Sequence, residues 1–307
     1  MPRLPLLFLL AASAVFGAAT PVIFDTDMGN DIDDALALAM LHALTTRGEC
    51  QLIGVTLTNG HPNAAPYIRL VDEFYGRPEL PVGVATRRLK DGDGDGYMAA
   101  ALHGAVNALI WRPAPDLLHR LLRDAPEKVT LVQTGFSTNL AALLAMPDGP
   151  ALIREKVALL VVMAGNFADG APEYNVRIDI PSAKAVFEHW PTPVIFSGFE
   201  IGCDLLFPAA SIDHDFAWAP RHPVAEAYRA YQKMPYNRPT WDLTAVLEAV
   251  RPQHRYFELS DPGAVQVDDR GATHFTPGPG DRRYLKLDPA RKAEILEALT
   301  LLASQPK

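Results

Sequence analysis

Five aspartates crowd into ten consecutive positions near the start of the chain: Asp25-Thr26-Asp27-Met28-Gly29-Asn30-Asp31-Ile32-Asp33-Asp34. An apolar run at 22–24 precedes them, and apolar residues at helical spacing follow over 34–44. Carboxylates held this close repel one another, and burial raises their pKa unless a cation or hydrogen-bond donors compensate. A hard divalent cation ligated by oxygen is the natural compensation, and several carboxylates together with carbonyl oxygens suit calcium. Amides at the start of a helix after Asp34 add to that support. A solvated helix-capping cluster is the bland alternative, but a cap employs one or two carboxylates and leaves the others unexplained.

The rest of the chain reads as the frame for this loop. Short apolar runs at 22–24, 52–57, 80–85, 129–132, 157–163 and 193–196 alternate with helical patterns at 34–44, 64–75, 137–144 and 182–189. Such alternation predicts an α/β fold, an open and mostly parallel sheet with helices on both faces. Ligands of such sheets bind beyond the carboxyl ends of the strands, where the strand order switches. The polar residues fall where that rule puts them: the acidic loop follows the first run, Asn59 the second, Thr134 and Gly135 the fourth, and Gly165 and Asn166 the fifth. The C-terminal third is less regular, with helical patterns at 220–233, 242–250 and 288–303 and an edge hairpin expected from 255–259 and 264–267.

The acidic loop, with Ala35-Leu36-Ala37-Leu38 after it, resembles the N-terminal signature of the nucleoside hydrolases, an Asp-x-Asp-Pro-Gly-x-Asp-Asp-Ala pattern. The resemblance continues through Val132-Gln133-Thr134-Gly135, Thr138-Asn139-Leu140, Met163-Ala164-Gly165-Asn166, Pro172-Glu173-Tyr174-Asn175 and Ile178-Asp179-Ile180-Pro181-Ser182-Ala183. It implies a Rossmann-like nucleoside hydrolase fold and calcium-dependent hydrolysis of the N-glycosidic bond of ribonucleosides. Carried over by position, it implies that Asp27 contacts calcium and draws a proton from the attacking water. Asp34, Asp242 and the Thr134 carbonyl complete the metal ligands. Asp33, Asn166, Glu173 and Asn175 hold the ribose, Asn59 and Met163 line its pocket, and Asp25 braces the loop from behind. The chemistry agrees, because an oxocarbenium-like transition state calls for anionic surroundings, a held water and a base. The family also suggests a homo-oligomer.

Two departures stand out. Asn30-Asp31-Ile32 separates Gly29 from Asp33-Asp34, two residues more than the commonest pattern, so the sugar-holding carboxylate is either Asp33 or Asp31. Trp241 precedes Asp242 where family members with a leaving-group acid carry His, and an indole donates no proton at neutral pH. Trp241 either stacks on a base or is a core aromatic; His61 and His103 are the other candidate acids. Asp91-Gly92-Asp93-Gly94-Asp95-Gly96 lacks the closing Glu of an EF-hand loop, having Leu102 there, and reads either as a flexible flap near the pocket or as a purely solvated loop.

Two other functions compete. A sugar- or nucleoside-binding protein would keep the pocket and lose turnover through Trp241. A haloacid-dehalogenase-like phosphatase shares the start of its nucleophile motif with Phe24-Asp25-Thr26-Asp27, but Gly29 stands where that motif requires Thr or Val.

Composition sets the outer bounds. The 307 residues are 49% hydrophobic, enough for a sizeable core, and the formal charge of -8 argues against a phosphate-backbone partner. Arg3, the apolar run 4–10 and small residues up to Ala19 read as an export signal over 1–19, too short to span a bilayer; the alternative is a buried N-terminal element. The single catalytic domain then occupies 20–307, exported, with a small-molecule substrate. Cys50 and Cys203 could pair in an oxidising compartment or remain buried thiols.

Overall fold

Alternating apolar runs and helical segments assemble into one continuous sheet. The computed structural model describes residues 19–86, 89, 96–104 and 111–307. Seven strands occupy the first two thirds: β1 Thr20–Thr26, β2 Cys50–Leu57, β3 Val82–Val84, β4 Arg112–Pro113, β5 Val129–Gln133, β6 Val157–Met163 and β7 Val194–Ser197. The remainder adds β8 Leu206–Phe207, β9 Arg238–Pro239, β10 Glu258–Leu259, β11 Gly263–Val267, β12 Thr273–Pro277 and β13 Arg282–Lys286. Among the described residues the main sheet runs β12-β11-β13-β7-β6-β5-β1-β2-β3-β4, with β10 also on β13. All pairings from β4 across to β13 are parallel, and only β10, β11 and β12 join antiparallel. The expected open, mostly parallel α/β sheet is therefore the fold, with an irregular helical C-terminal third.

Strand order moves outward one way from β1 to β4 and the other way from β5 to β13. It reverses between β1 and β5, which pair through Phe24 with Val132 and Asp25 with Gln133. A crevice opens beyond strand ends at such a reversal, and the acidic loop begins there.

Successive residues of a strand point to opposite faces, and the core divides accordingly. Val22, Phe24, Val132 and Val161 join one apolar cluster, while Ile23, Leu131, Leu160 and Val162 join the other. Truncating any of these fully buried side chains to Ala is expected to cost about 2–5 kcal/mol. The helix Asp33–Thr46 is buried on every side from Asp33 to Leu44. It packs on β2 and on the helices Trp241–Val250 and Lys292–Ala303, which explains why its sequence is apolar all round. Its N-terminus, carrying Asp33 and Asp34 in the first turn, is thereby fixed at the strand reversal.

The hairpin expected from 255–259 and 264–267 forms differently. β11 turns back onto β12, and β10 pairs with β13. The Asp268 carboxylate accepts the N–H groups of Arg270 and Ala272, a side-chain-stabilised turn that closes the hairpin locally. The segment read as an export signal lies, but for residue 19, outside the described residues, as do positions 91–95 of the Asp-Gly loop. Among the described residues no helix is long and apolar enough to cross a membrane. Both thiols are free, Cys50 buried and Cys203 half-buried.

Candidate active site

Beyond the ends of β1, β5 and β6 lies a cavity of about 300 Å³, the lower end of the range for small-molecule sites. Its floor is polar: Asp27, Asp31, Asp33, Thr134 and Asp242, with Glu173 and Asn175 to one side. Phe199, Tyr231 and Trp241 form an aromatic wall, and Arg238 lies among them.

Each acidic group is placed by a local cause. Asp25 is 1% exposed at the end of β1, where Thr56 Oγ1 and Asn139 Nδ2 donate to its Oδ1 at 2.6 and 2.8 Å. It braces the loop from behind, as expected. Two glycines allow the chain to pass so tightly. Gly29 has φ +112° and would drive a Cβ into Met98, and a Cβ on Gly135 would lie 2.6 Å from the Asp27 nitrogen. Asn59 Nδ2 donates to the carbonyls of Asp27 at 2.6 Å and Met28 at 3.3 Å. The Tyr97 hydroxyl accepts from Gly29 N–H and donates to the Asp31 carbonyl. The Thr26 hydroxyl donates to Asp34 Oδ1.

Burial then acts on the charges. Desolvation raises Asp27 well above the usual carboxylate range, and the charges of Asp34, Asp31 and Asp33 add to it. Burial, with the Asp33 charge adding, pushes Asp34 up to about 7 against the opposing pull of the Thr26 hydroxyl and of Asp242 beside it. Asp242 is likewise raised by burial and then by the Asp34 charge.

Among the described residues no group of three His, Cys, Asp or Glu side chains is already spaced to hold a metal ion. The donors nonetheless fit a hard cation. One buried oxygen each of Asp27, Asp34 and Asp242 has no hydrogen-bond partner, nor does the Thr134 hydroxyl. Orphaned buried polar atoms require explanation, and an all-oxygen set of this kind is what calcium or magnesium takes.

The sugar-side expectations divide. Asp33, Met163, Glu173, Asn175 and Trp241 line the cavity. Asn175 Nδ2 donates to the Thr134 carbonyl at 2.8 Å and the Met163 carbonyl at 3.1 Å, tying β5 to β6. Glu173 caps the helix Tyr174–Ile178, accepting from Asn175 N–H and Val176 N–H, and accepts from Gly165 N–H as well; burial lifts it to about 7. Asn59 and Asn166 do not line the cavity among the described residues: the first holds the loop backbone, and Asn166 Oδ1 accepts from Ala168 N–H and Asp169 N–H in a turn. His61 and His103 are also off the wall, and His103 pairs with Glu226 at 2.9 Å. Asp34 stands just behind the floor against Asp242.

Trp241 is part of the aromatic wall. Its ring stacks on Phe199 at 5.4 Å and 25°, and its indole N–H donates to the Phe199 carbonyl. Arg238, unforeseen from the sequence, lies 5.0 Å over Trp241 and 5.3 Å over Tyr231. Its guanidinium donates from Nε and Nη2 to Asp33 Oδ1 at 3.1 and 3.0 Å and reaches Asp31 Oδ2. Burial opposes that charge, but Asp33 and then Asp31 outweigh it and raise the pKa. The one sequence signal was an arginine between Tyr231, Tyr236 and Trp241.

Fold and site together define an α/β protein with an acidic, aromatic-walled cleft at its strand reversal. The chain matches the model of the inosine-uridine preferring nucleoside hydrolases over residues 22–298, and it belongs to that family. It is 32% identical over 202 residues to the pyrimidine-specific ribonucleoside hydrolase RihA of Citrobacter koseri and 30% identical over 215 residues to that of Salmonella typhi. Those matches cover 60% and 64% of this chain, and the chain spans 61% and 65% of the relatives' length. Among solved structures, an inosine-guanosine nucleoside hydrolase superposes with TM-score 0.74 at 19% identity, covering 94% of this chain and all of that one. The type III effector XopQ, complexed with adenosine diphosphate ribose, gives 0.72 at 18%, covering 94% and 95%. At such identities these likenesses speak for the fold.

Proposed function

We propose that this chain hydrolyses the N-glycosidic bond of ribonucleosides with the help of a divalent cation, calcium being the best match to the oxygen donors. The observation that carries the reading is the set of orphaned oxygens of Asp27, Asp34 and Asp242 on and behind one cavity floor. Those carboxylates and the Thr134 carbonyl would hold the cation, which when bound supplies charge that acidifies and fixes a water.

The chain's own groups supply the rest. Asp27 is the carboxylate of the set on the cavity floor at the end of β1, so it takes the proton from the attacking water. Asp33 accepts sugar hydroxyls, and Glu173 and Asn175 bound the sugar's other side. The negative floor favours the positive charge that develops on the sugar ring as the bond breaks. Trp241 and Phe199 offer a flat face to the departing base, whose protonation is left to water because among the described residues no imidazole lines the wall. The phosphatase alternative needs Asp25 as an accessible nucleophile, and Asp25 is instead buried under Thr56 and Asn139. The apolar run 4–10 ending in small residues supports export of the mature domain.

The test is to incubate the mature protein with a panel of purine and pyrimidine nucleosides, with and without chelator, and to assay reducing sugar. Sugar release that chelation abolishes and calcium restores is expected. Tight nucleoside binding with no release would favour the binding-protein alternative.

A further inference from the structure

The two residues inserted after Gly29 and Asn30 bring a carboxylate, Asp31, that the common family pattern lacks. On the other side of the cavity the two-residue strand β9, paired with β8, presents Arg238. Its side chain is 11% exposed and held on four sides, by Asp31, Asp33, Tyr231 and Trp241. Asp33 is correspondingly constrained. Its Oδ1 accepts twice from Arg238, and its Oδ2 accepts from Asp242 N–H at 3.4 Å. A carboxylate has about four lone-pair positions, and Arg238 and the Asp242 N–H use three of those on Asp33, with Asp31 beside it. Asp33 borders the cavity, and the remaining position is what a ligand can use.

We propose that Arg238 is a positioning residue for the sugar: it fixes Asp33 so that its last lone pair accepts a ribose hydroxyl, while Asp31 balances the guanidinium and does not itself grip the sugar. The inference rests on the nucleoside reading of the cavity and assigns, within it, the residue that sets selectivity for a hydroxylated sugar. A forked, planar cation performs this task because it can contact two carboxylates and lie against two rings at once; an ammonium presents a single point of charge.

The experiment compares wild type, Arg238→Gln, Arg238→Lys and Asp31→Asn with uridine and inosine beside their 2′-deoxy forms. Hydrolysis gives kcat and KM, calorimetric titration gives affinity whether or not turnover occurs, and thermal melts establish that each variant is folded. The wild type is expected to favour the ribo form. Arg238→Gln should shrink that preference about tenfold or more, the factor associated with a hydrogen bond to a charged group. The loss should lie in KM for the ribo form, with Arg238→Lys restoring part of it and Asp31→Asn shrinking the preference less than Arg238→Gln does. An unchanged ribo-to-deoxy ratio in folded Arg238→Gln overturns the proposal even where hydrolysis is present. A ratio that collapses in Asp31→Asn alone overturns it by making Asp31 the clamp. Ribo-selective binding that depends on Arg238, without cleavage, supports the proposal while removing the hydrolase reading. Absence of both binding and cleavage in the wild type removes both.

Discussion

The carboxylates around the cavity fall into two groups that differ in how their charge is met. Asp31 and Asp33 face a guanidinium that the chain provides. Asp27, Asp34 and Asp242 face one another, with an oxygen of each left without a partner. The first group has a cation within the polypeptide, although burial and then Asp33 still raise Asp31 above the usual carboxylate range; the second has none, and under the proposed function a bound cation would supply it. The difference teaches that acidic residues only a few positions apart can serve structure and chemistry separately, and that partner atoms tell them apart where residue type does not.

Replacing Asp27 by Ala should have the largest effect, lowering kcat on the order of 10²–10⁴-fold, the range of a general base; steady-state kinetics with saturating calcium measures it. Asn at position 34 or 242 should weaken calcium binding by at least about 10–100-fold. The same substitutions should leave the metal-free protein as stable as wild type or more so, because each removes a buried, repelled carboxylate. Asp33→Asn tests the opposite group, since it deprives a buried guanidinium of one partner. A destabilisation of roughly 1–3 kcal/mol is expected in urea titrations with chelator present. If Asp34→Asn and Asp33→Asn shift the midpoint in the same direction, the division between the two groups is wrong.

A pH series sharpens the same contrast. Burial holds Asp25 and Asp34 at about 7 against the ordinary 3.8. Above about pH 4 the unfolded chain releases protons that the metal-free fold retains. Stability of the stripped protein is thus full below that value and falls as the pH rises through about 7. Calcium favours the ionised form of Asp34 and should remove its share of this fall while leaving that of Asp25, which thermal melts at pH 5 and pH 7.5, with chelator or with calcium, would reveal. The smallest effect belongs to the aromatic wall. Trp241→Ala should raise KM by roughly two- to tenfold, the worth of one aromatic contact, with little change in kcat.

Much of this was legible in the sequence because it is local. The alternation that makes a parallel sheet and the acidic loop after β1 follow from runs of neighbouring residues, whereas Glu173 and Asn175 are named by the family resemblance and Thr134 by its place after an apolar run. What was not legible depends on the partner a side chain finds in space. Among the described residues Asn59 and Asn166 do not line the cavity: the Asn59 amide nitrogen donates to loop carbonyls, and the Asn166 oxygen accepts from a turn. Arg238 is 205 residues from Asp33 in sequence, and no spacing rule joins them. The hairpin pairs differently from the expectation because the Asp268 carboxylate closes a turn after β11 and brings it onto β12, while β10 finds its partner in the distant β13.

The central claim is that Asp27, Asp34 and Asp242 converge on one external cation. Calorimetric titration of calcium into the stripped protein, repeated in two buffers of different ionisation enthalpy, tests it most directly. One site per chain, with protons released on binding because the raised carboxyls must ionise, and loss of that site in Asp34→Asn, is the expected result. No calcium binding, or binding without proton release that Asp34→Asn leaves untouched, would contradict it.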